Sequence, residues 1–199
     1  EKFRPDSTRL ALVRRSVDDI EPDRLDLQDW LQAYGRHHCH RIALDLEIVE
    51  RYSTRENVII DCGCVPLILT ASLKALGYNV HGIDIDPSRF SSTISKLNLR
   101  VSKCNIETEA LPLETGSCDV VIFNELFEHL RINPIFTIGE VRRVLRSNGM
   151  LLLSTPNLRS LKGLANFLLR NKAYSNSVDI YYEYQKLERL GHMGHVREY

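Results

Sequence analysis

The rhythm of apolar and polar positions changes once along this chain. Residues 1–24 are charged and weakly patterned, as in an arm or a short helix. From Leu25 to Arg51 the apolar residues Leu27, Trp30, Leu31 and Tyr34, then Ile42, Leu46 and Val49, recur at helical spacing, which predicts one or two amphipathic helices. Further on, short apolar runs alternate with helical stretches. The pattern predicts strands over 58–61, 80–85, 99–104, 120–123 and 150–154, and helices over 67–76, 88–97 and 134–145. Gly77 suits a helix C-terminus, Asn148-Gly149 ends the third of these helices, and Asp86-Pro87 and Pro156-Asn157 stop strands. The run 120–123 is apolar throughout, as expected of a strand covered on both faces. A further helix is predicted over 161–169. Strands separated by helices of about ten residues build βαβ units and a parallel sheet. Right-handed crossovers then restrict the topology to doubly wound forms. The expected fold is α/β, a doubly wound, mostly parallel sheet. An N-terminal arm and helical cap (1–55) precede the sheet domain (56–199).

Composition narrows the picture. With 199 residues, 43% apolar and 26% charged, the chain suits one domain with a packed core. Lys+Arg and Asp+Glu both number 26, and zero net charge disfavours a dedicated nucleic-acid binder. A local basic surface from Arg142, Arg143, Arg146, Arg159, Lys162 and Arg170 remains compatible with it. No apolar run approaches the roughly 20 residues of a transmembrane helix, and the charged start shows no signal peptide, so a cytoplasmic protein is expected. Five cysteines (Cys39, Cys62, Cys64, Cys104, Cys118) read as buried reduced thiols. Cys62-Gly63-Cys64 lacks the second pair that a structural zinc requires. The cluster His37-His38-Cys39-His40 sits in a helical pattern where adjacent residues point different ways. It reads as a solvated helix face or a cap facing a substrate rather than a metal site.

A parallel sheet binds ligands beyond the carboxyl ends of its strands, and the chemistry-bearing residues stand there in order. Asp61-Cys62-Gly63-Cys64-Val65-Pro66 follows the first strand, and Asp84-Ile85-Asp86-Pro87 closes the second. Asn105-Ile106 follows the third, Asn124-Glu125-Leu126-Phe127-Glu128-His129 the fourth, and Ser154-Thr155-Pro156-Asn157 the fifth. This succession resembles the class I, Rossmann-like S-adenosylmethionine-dependent methyltransferases over roughly 57–157. The resemblance implies S-adenosylmethionine as cofactor and a cofactor-binding set of Asp61, Gly63, Cys64, Asp84, Ile85, Asn105, Ile106 and Asn124. It gives Asp84 the ribose hydroxyls, Asn105 the adenine amino group and Ile106 the adenine face. The turn after the first strand needs a small residue where backbone meets cofactor, and Gly63 fits. Val65 and Leu67 stand where the family usually carries further glycines. That departure raises the alternative of a catalytically degenerate, methyltransferase-like interaction module. The family also implies a further helix and antiparallel strand pair, for which residues up to Tyr199 offer no clear candidate.

Glu125-x-x-Glu128-His129 is the second constellation. On a helix these positions share one face. Two oxygens and one nitrogen suit Mg²⁺, Mn²⁺ or Zn²⁺. The spacing resembles the metal motif of small-RNA 3′-end 2′-O-methyltransferases and that of ubiquinone-pathway O-methyltransferases. In the RNA enzymes a downstream His completes the site, which makes His195 the candidate here and His192 the second choice. A metal-free role is equally open: His129, as an imidazole titrating near neutrality, can take a proton from an acceptor hydroxyl. Glu125, Glu128 and His129 are therefore the candidate catalytic residues. The leading expectation is O-methylation of a small molecule, sugar or lipid-linked glycan. The alternative is a metal-dependent RNA ribose 2′-O-methyltransferase.

Overall fold

The computed structural model describes residues 4–157 together with residues 164–165 and 168–169. Five strands, β1 (Val58–Cys62), β2 (Asn79–Asp84), β3 (Arg100–Lys103), β4 (Cys118–Asn124) and β5 (Leu145–Ser154), form one sheet in the order β3-β2-β1-β4-β5. Every pairing is parallel. The helices are α1 (Ser7–Asp19), α2 (Gln28–Tyr52), α3 (Ile68–Ala75), α4 (Ser91–Lys96) and α5 (Pro134–Val144). The strand order reverses between β1 and β4, so a crevice opens beyond their carboxyl ends.

Alternation along the strands divides the core in two. Ile59, Val80, Val120 and Ile122 face one layer, where they join Val13 and Val17 of α1, Leu31, Ile42 and Leu46 of α2, and Leu73 of α3. Ile60, Cys62, Ile83, Val121 and Phe123 face the other, with Val141 and Val144 of α5. All five cysteines are buried free thiols, as their surroundings in the sequence led us to expect.

The N-terminal residues are more ordered than their weak pattern indicates. Asp6 caps α1 by accepting the Thr8 and Arg9 N–H groups at 3.0 and 3.3 Å, and Arg9 forms an ion pair with Glu50 of α2. The two helices meet closely at Gly35, where an added Cβ would lie 2.7 Å from a Val17 methyl. Between them, Asp23 accepts the Ser91 N–H at 2.6 Å at the start of α4 and donates its own N–H to the Arg89 carbonyl at 2.8 Å. The helical cap is thereby fastened to the loop after β2.

The last strand departs from expectation. The Asn148-Gly149 turn lies inside β5 as an irregularity, with Asn148 at φ 65°, because Leu145 already pairs with Cys118 and Arg146 holds Asp119 at 2.7 Å. The helix expected over 161–169 falls mostly outside the described residues; Leu164, Ala165, Leu168 and Leu169 are helical. Tyr181 to Tyr184, His192 and His195 lie outside them too, as does any further strand pair. Among the described residues no helix is long and apolar enough to cross a membrane.

Candidate active site

A cavity of about 550 Å³ opens at the crevice, within the usual range for small-molecule sites. Its floor begins at the turn after β1. Gly63 adopts φ +71° and donates its N–H to the Ile83 carbonyl at 2.8 Å, and a Cβ there would meet Leu126 at 3.1 Å. Leu67 also sits in the left-handed region, at φ 71°, where the family pattern has glycine. The conformation costs a Leu about 1–2 kcal/mol. Leu67 is fully buried, and burying a Leu contributes about 1.5–3 kcal/mol, so packing outweighs the strain. The departure in sequence therefore does not open the turn.

Asp84 ends β2 and lines the cavity. Its Oδ2 accepts the Val65 N–H at 3.2 Å and its Oδ1 the Asp86 N–H at 2.9 Å, while the Arg89 guanidinium lies 3.5 Å away. This is a buried carboxylate aimed by three donors, with acceptor capacity left on Oδ2. Ile85, Asn105 and Ile106 line the same end. Asn105 accepts the Glu107 N–H at 3.1 Å in a local turn, which leaves its amide oxygen one lone pair.

Two of the expected cofactor residues stand elsewhere. The Asp61 side chain does not reach the cavity: its Oδ2 accepts the Thr70 hydroxyl at 2.6 Å and so pins α3 to β1. Burial raises the Asp61 carboxyl to about 7 against the pull of that hydrogen bond, with Asp45 and Asp84 adding to the rise. Cys64 turns onto the sheet, where its Sγ would be 2.8 Å from a Cβ on Gly82.

The segment after β4 is not the α-helix that would align Glu125, Glu128 and His129. Glu125 has φ +50°, and only Phe127–His129 forms a short 3-10 turn. Glu125 is tied to β5: its N–H donates to the Ser154 carbonyl at 3.0 Å and its Oε1 accepts the Ser154 hydroxyl at 3.1 Å. Glu125 and His129 line the cavity, whereas Glu128 is fully buried beside Thr155, its carboxyl raised to about 7 chiefly by burial. Among the described residues no group of three His, Cys, Asp or Glu is placed to hold a metal ion. Asn124 also lines the cavity, and its buried amide oxygen has no hydrogen-bond partner.

The opposite wall comes from α2. Trp30, Tyr34, His37 and His38 line it, with ring centroids 5.7 Å apart for Trp30–Tyr34 and 4.3 Å for Tyr34–His38. Burial, assisted by Arg41 and His37, lowers the His38 imidazole to about 4. The motif reading passed over Trp30, Tyr34 and Arg89. The spacing of Trp30, Tyr34 and His38 at i, i+4 and i+8 was the available signal: Trp30 and Tyr34 were read only as apolar helix positions, whereas His37 and His38 line the cavity in keeping with the reading of a cap that faces a substrate.

A parallel five-stranded sheet, a glycine turn after β1 and an acid ending β2 define the class I methyltransferase fold. Residues 60–153 match the family described as methyltransferase domain. The chain is 30% identical over 134 residues to a ubiquinone biosynthesis O-methyltransferase of Colwellia psychrerythraea, covering 64% of this chain and 52% of that protein. A protein of the same description from Nitrosomonas europaea is 34% identical over 108 residues, 51% of this chain and 45% of its own length. The chain thus spans about half the length of the curated relatives it matches. Among solved structures, a SAM-dependent methyltransferase from Archaeoglobus fulgidus superposes with TM-score 0.52 at 20% identity, over 75% of this chain and 68% of that one.

Proposed function

We propose that the chain transfers a methyl group from S-adenosylmethionine to a hydroxyl oxygen of a small acceptor, without a metal ion. The observation that carries this reading is a single cavity joining a nucleoside end, at Asp84, Asn105 and Ile106, to an end holding His129. The residues present fit the cofactor. Gly63 leaves a cradle that a Cβ would fill, Asp84 retains acceptor capacity for ribose hydroxyls, and the partnerless amide oxygen of Asn124 can accept from the amino end. S-adenosylmethionine supplies an electrophilic methyl on a sulfonium. The chain's part is to hold the acceptor oxygen in line and remove its proton, a role given to His129, which lines the cavity on the loop after β4. The relatives' printed role in O-methylation supports oxygen as the nucleophile.

The RNA reading loses support on two grounds. The Glu-x-x-Glu-His set does not assemble around a metal among the described residues. Of the basic surface, Arg143 is paired with Glu140 and Arg146 with Asp119.

Calorimetric titration with S-adenosylmethionine and S-adenosylhomocysteine, with and without Mg²⁺ or Mn²⁺, tests the proposal. Micromolar binding unchanged by metal is expected. Binding that requires the ion would restore the metal site through residues such as His195, and no binding by folded protein would return the chain to the degenerate-module reading.

A further inference from the structure

The segment joining α1 to α2 is fastened to the stretch that leads from β2 into α4, and the fastening ends on a residue of the cavity. Asp23 donates its N–H to the Arg89 carbonyl at 2.8 Å, and its carboxylate accepts the Ser91 N–H at 2.6 Å and the Ser92 N–H at 3.1 Å. Two residues earlier, the Glu21 N–H donates to the Thr93 hydroxyl oxygen at 2.9 Å, and that hydroxyl donates to the Glu21 carbonyl at 2.8 Å. Lys96 closes the series with an ion pair to Glu21 at 3.1 Å. The side chain of Arg89 leaves this seam for the cavity and is buried there. Its Nε donates to the Asp86 carbonyl at 3.0 Å, and its guanidinium stands 3.5 Å from an Asp84 oxygen. From this chain of contacts we infer that Asp23 is a positioning residue for the cofactor: it fixes the backbone at 89–92, so that Arg89 holds Asp84 ready for the ribose hydroxyls. The inference rests on the methyl-transfer reading above and adds to that site a residue of the helical cap that does not line the cavity.

Three observations give Asp23 this part. First, the stretch from Asp86 to Lys96 has little hold of its own. It comprises the 3-10 turn Pro87–Phe90 and the six residues of α4, and neither is capped by the side chain of the residue before it. Helical pieces this short are not stable alone in water and depend on tertiary ties. Asp23 supplies the missing acceptors from 68 and 69 positions away. Hydrogen bonds from Ser92 and Ser91 hold its carboxyl below the ordinary carboxylate range, so the tie persists through neutral pH. Second, the tie is made at Arg89 itself, through its carbonyl. An arginine stem is flexible, so the backbone beneath it decides where the guanidinium falls. Third, Asp23 is exposed and stands outside both layers of the core, so replacing it leaves the apolar packing intact. An effect on the cofactor can therefore be separated from an effect on the fold.

Calorimetry with S-adenosylhomocysteine on Asp23→Ala, Arg89→Ala and the double variant tests the assignment. Asp23→Ala should weaken binding about threefold, and adding it to Arg89→Ala should cost little more than Arg89→Ala alone, because a residue that acts through another adds nothing once the other is gone. Asp23→Asn keeps an acceptor oxygen for one of the two amides and should recover part of the loss. In the parent chain, saturation with S-adenosylhomocysteine should slow hydrogen exchange in 21–24 and 89–93, since a tie that favours binding is favoured by binding in return. A folded Asp23→Ala with the parent's affinity overturns the assignment. So does a double variant in which the two losses multiply, or exchange in both segments that S-adenosylhomocysteine leaves unchanged. Circular dichroism shows whether each variant folds, and if Asp23→Ala does not, the exchange measurement on the parent chain decides. A folded parent chain that does not bind S-adenosylhomocysteine overturns the methyl-transfer reading, and this assignment with it.

Discussion

The two ends of the cavity are built by different means. The proposed nucleoside end is made of strand termini: Asp84 is the last residue of β2, Gly63 sits one residue past β1 and Asn105 two past β3, and backbone amides donate to the Asp84 and Asn105 side chains. The acceptor end is made of side chains on α2, which lies before the first strand, set against a loop that follows the fourth. Backbone geometry at a sheet edge depends little on the side chains around it. The position of a helix depends on every residue beneath it. The strand-end residues therefore follow from the fold, whereas the wall on α2 depends on how that helix packs.

Breaking each end separately sharpens that contrast. The largest effect is expected for His129→Ala, which lowers methyl transfer about a hundredfold or more by removing the base. Affinity for S-adenosylhomocysteine should stay within about twofold by calorimetry, and an equal loss of both would make His129 structural. Next comes Asp84→Ala, with at least a tenfold loss of S-adenosylhomocysteine affinity through the missing ribose bonds. Unchanged affinity would show that the ribose lies elsewhere. Arg89→Ala follows, with a loss of about fivefold, because the guanidinium 3.5 Å from Asp84 compensates its buried charge. Arg89→Lys should recover part of that loss, and a full loss in both variants would assign Arg89 a direct contact.

Gly35→Ala tests the other end. The added Cβ must displace Val17 from 2.7 Å, so α2 shifts and acceptor affinity falls several-fold while cofactor affinity holds. If both fall together, the two ends are not independent. The smallest effect concerns stability. Glu128 has its folded pKa raised from 4.5 to about 7 by burial. The folded chain thus keeps a proton that the unfolded chain releases in this interval. The contribution of this carboxyl is complete below about pH 4.5 and is lost as pH rises through about 7. Glu128→Gln should leave Tm nearly unchanged at pH 5 and raise it by a few degrees at pH 8. A variant less stable than the parent at pH 8 would show that the ionised carboxylate is satisfied where it stands.

This division explains what could be read from the sequence. The five strands were legible because their apolar runs are short, bounded by Gly, Pro, Asn and Asp, and in register with a ligand edge. Gly63, Asp84, Asn105 and Ile106 followed, since a strand's end places its next residue at that edge. Asp61, near the end of β1, and Cys64, in the turn after it, point away from the cavity, a difference of side-chain direction that motif spacing does not encode. The Glu125-x-x-Glu128-His129 spacing was read on a helical period, and the positive φ at Glu125 breaks it. No local signal marks that residue as left-handed, because its bonds run to Ser154, 29 positions away. Trp30 and Tyr34 were found as apolar positions on a helix; only the tertiary placement of α2 shows that they line a cavity as well as packing on the core.

The contact between Gly35 and Val17 gives the acceptor end an adjustable seat. Neither residue lines the cavity, yet together they set how deeply α2 rests on α1. One methyl removed at residue 17 or added at residue 35 alters the seat of the helix that carries Trp30, Tyr34 and His38. A change of this kind reaches the wall of the cavity without altering any residue that lines it.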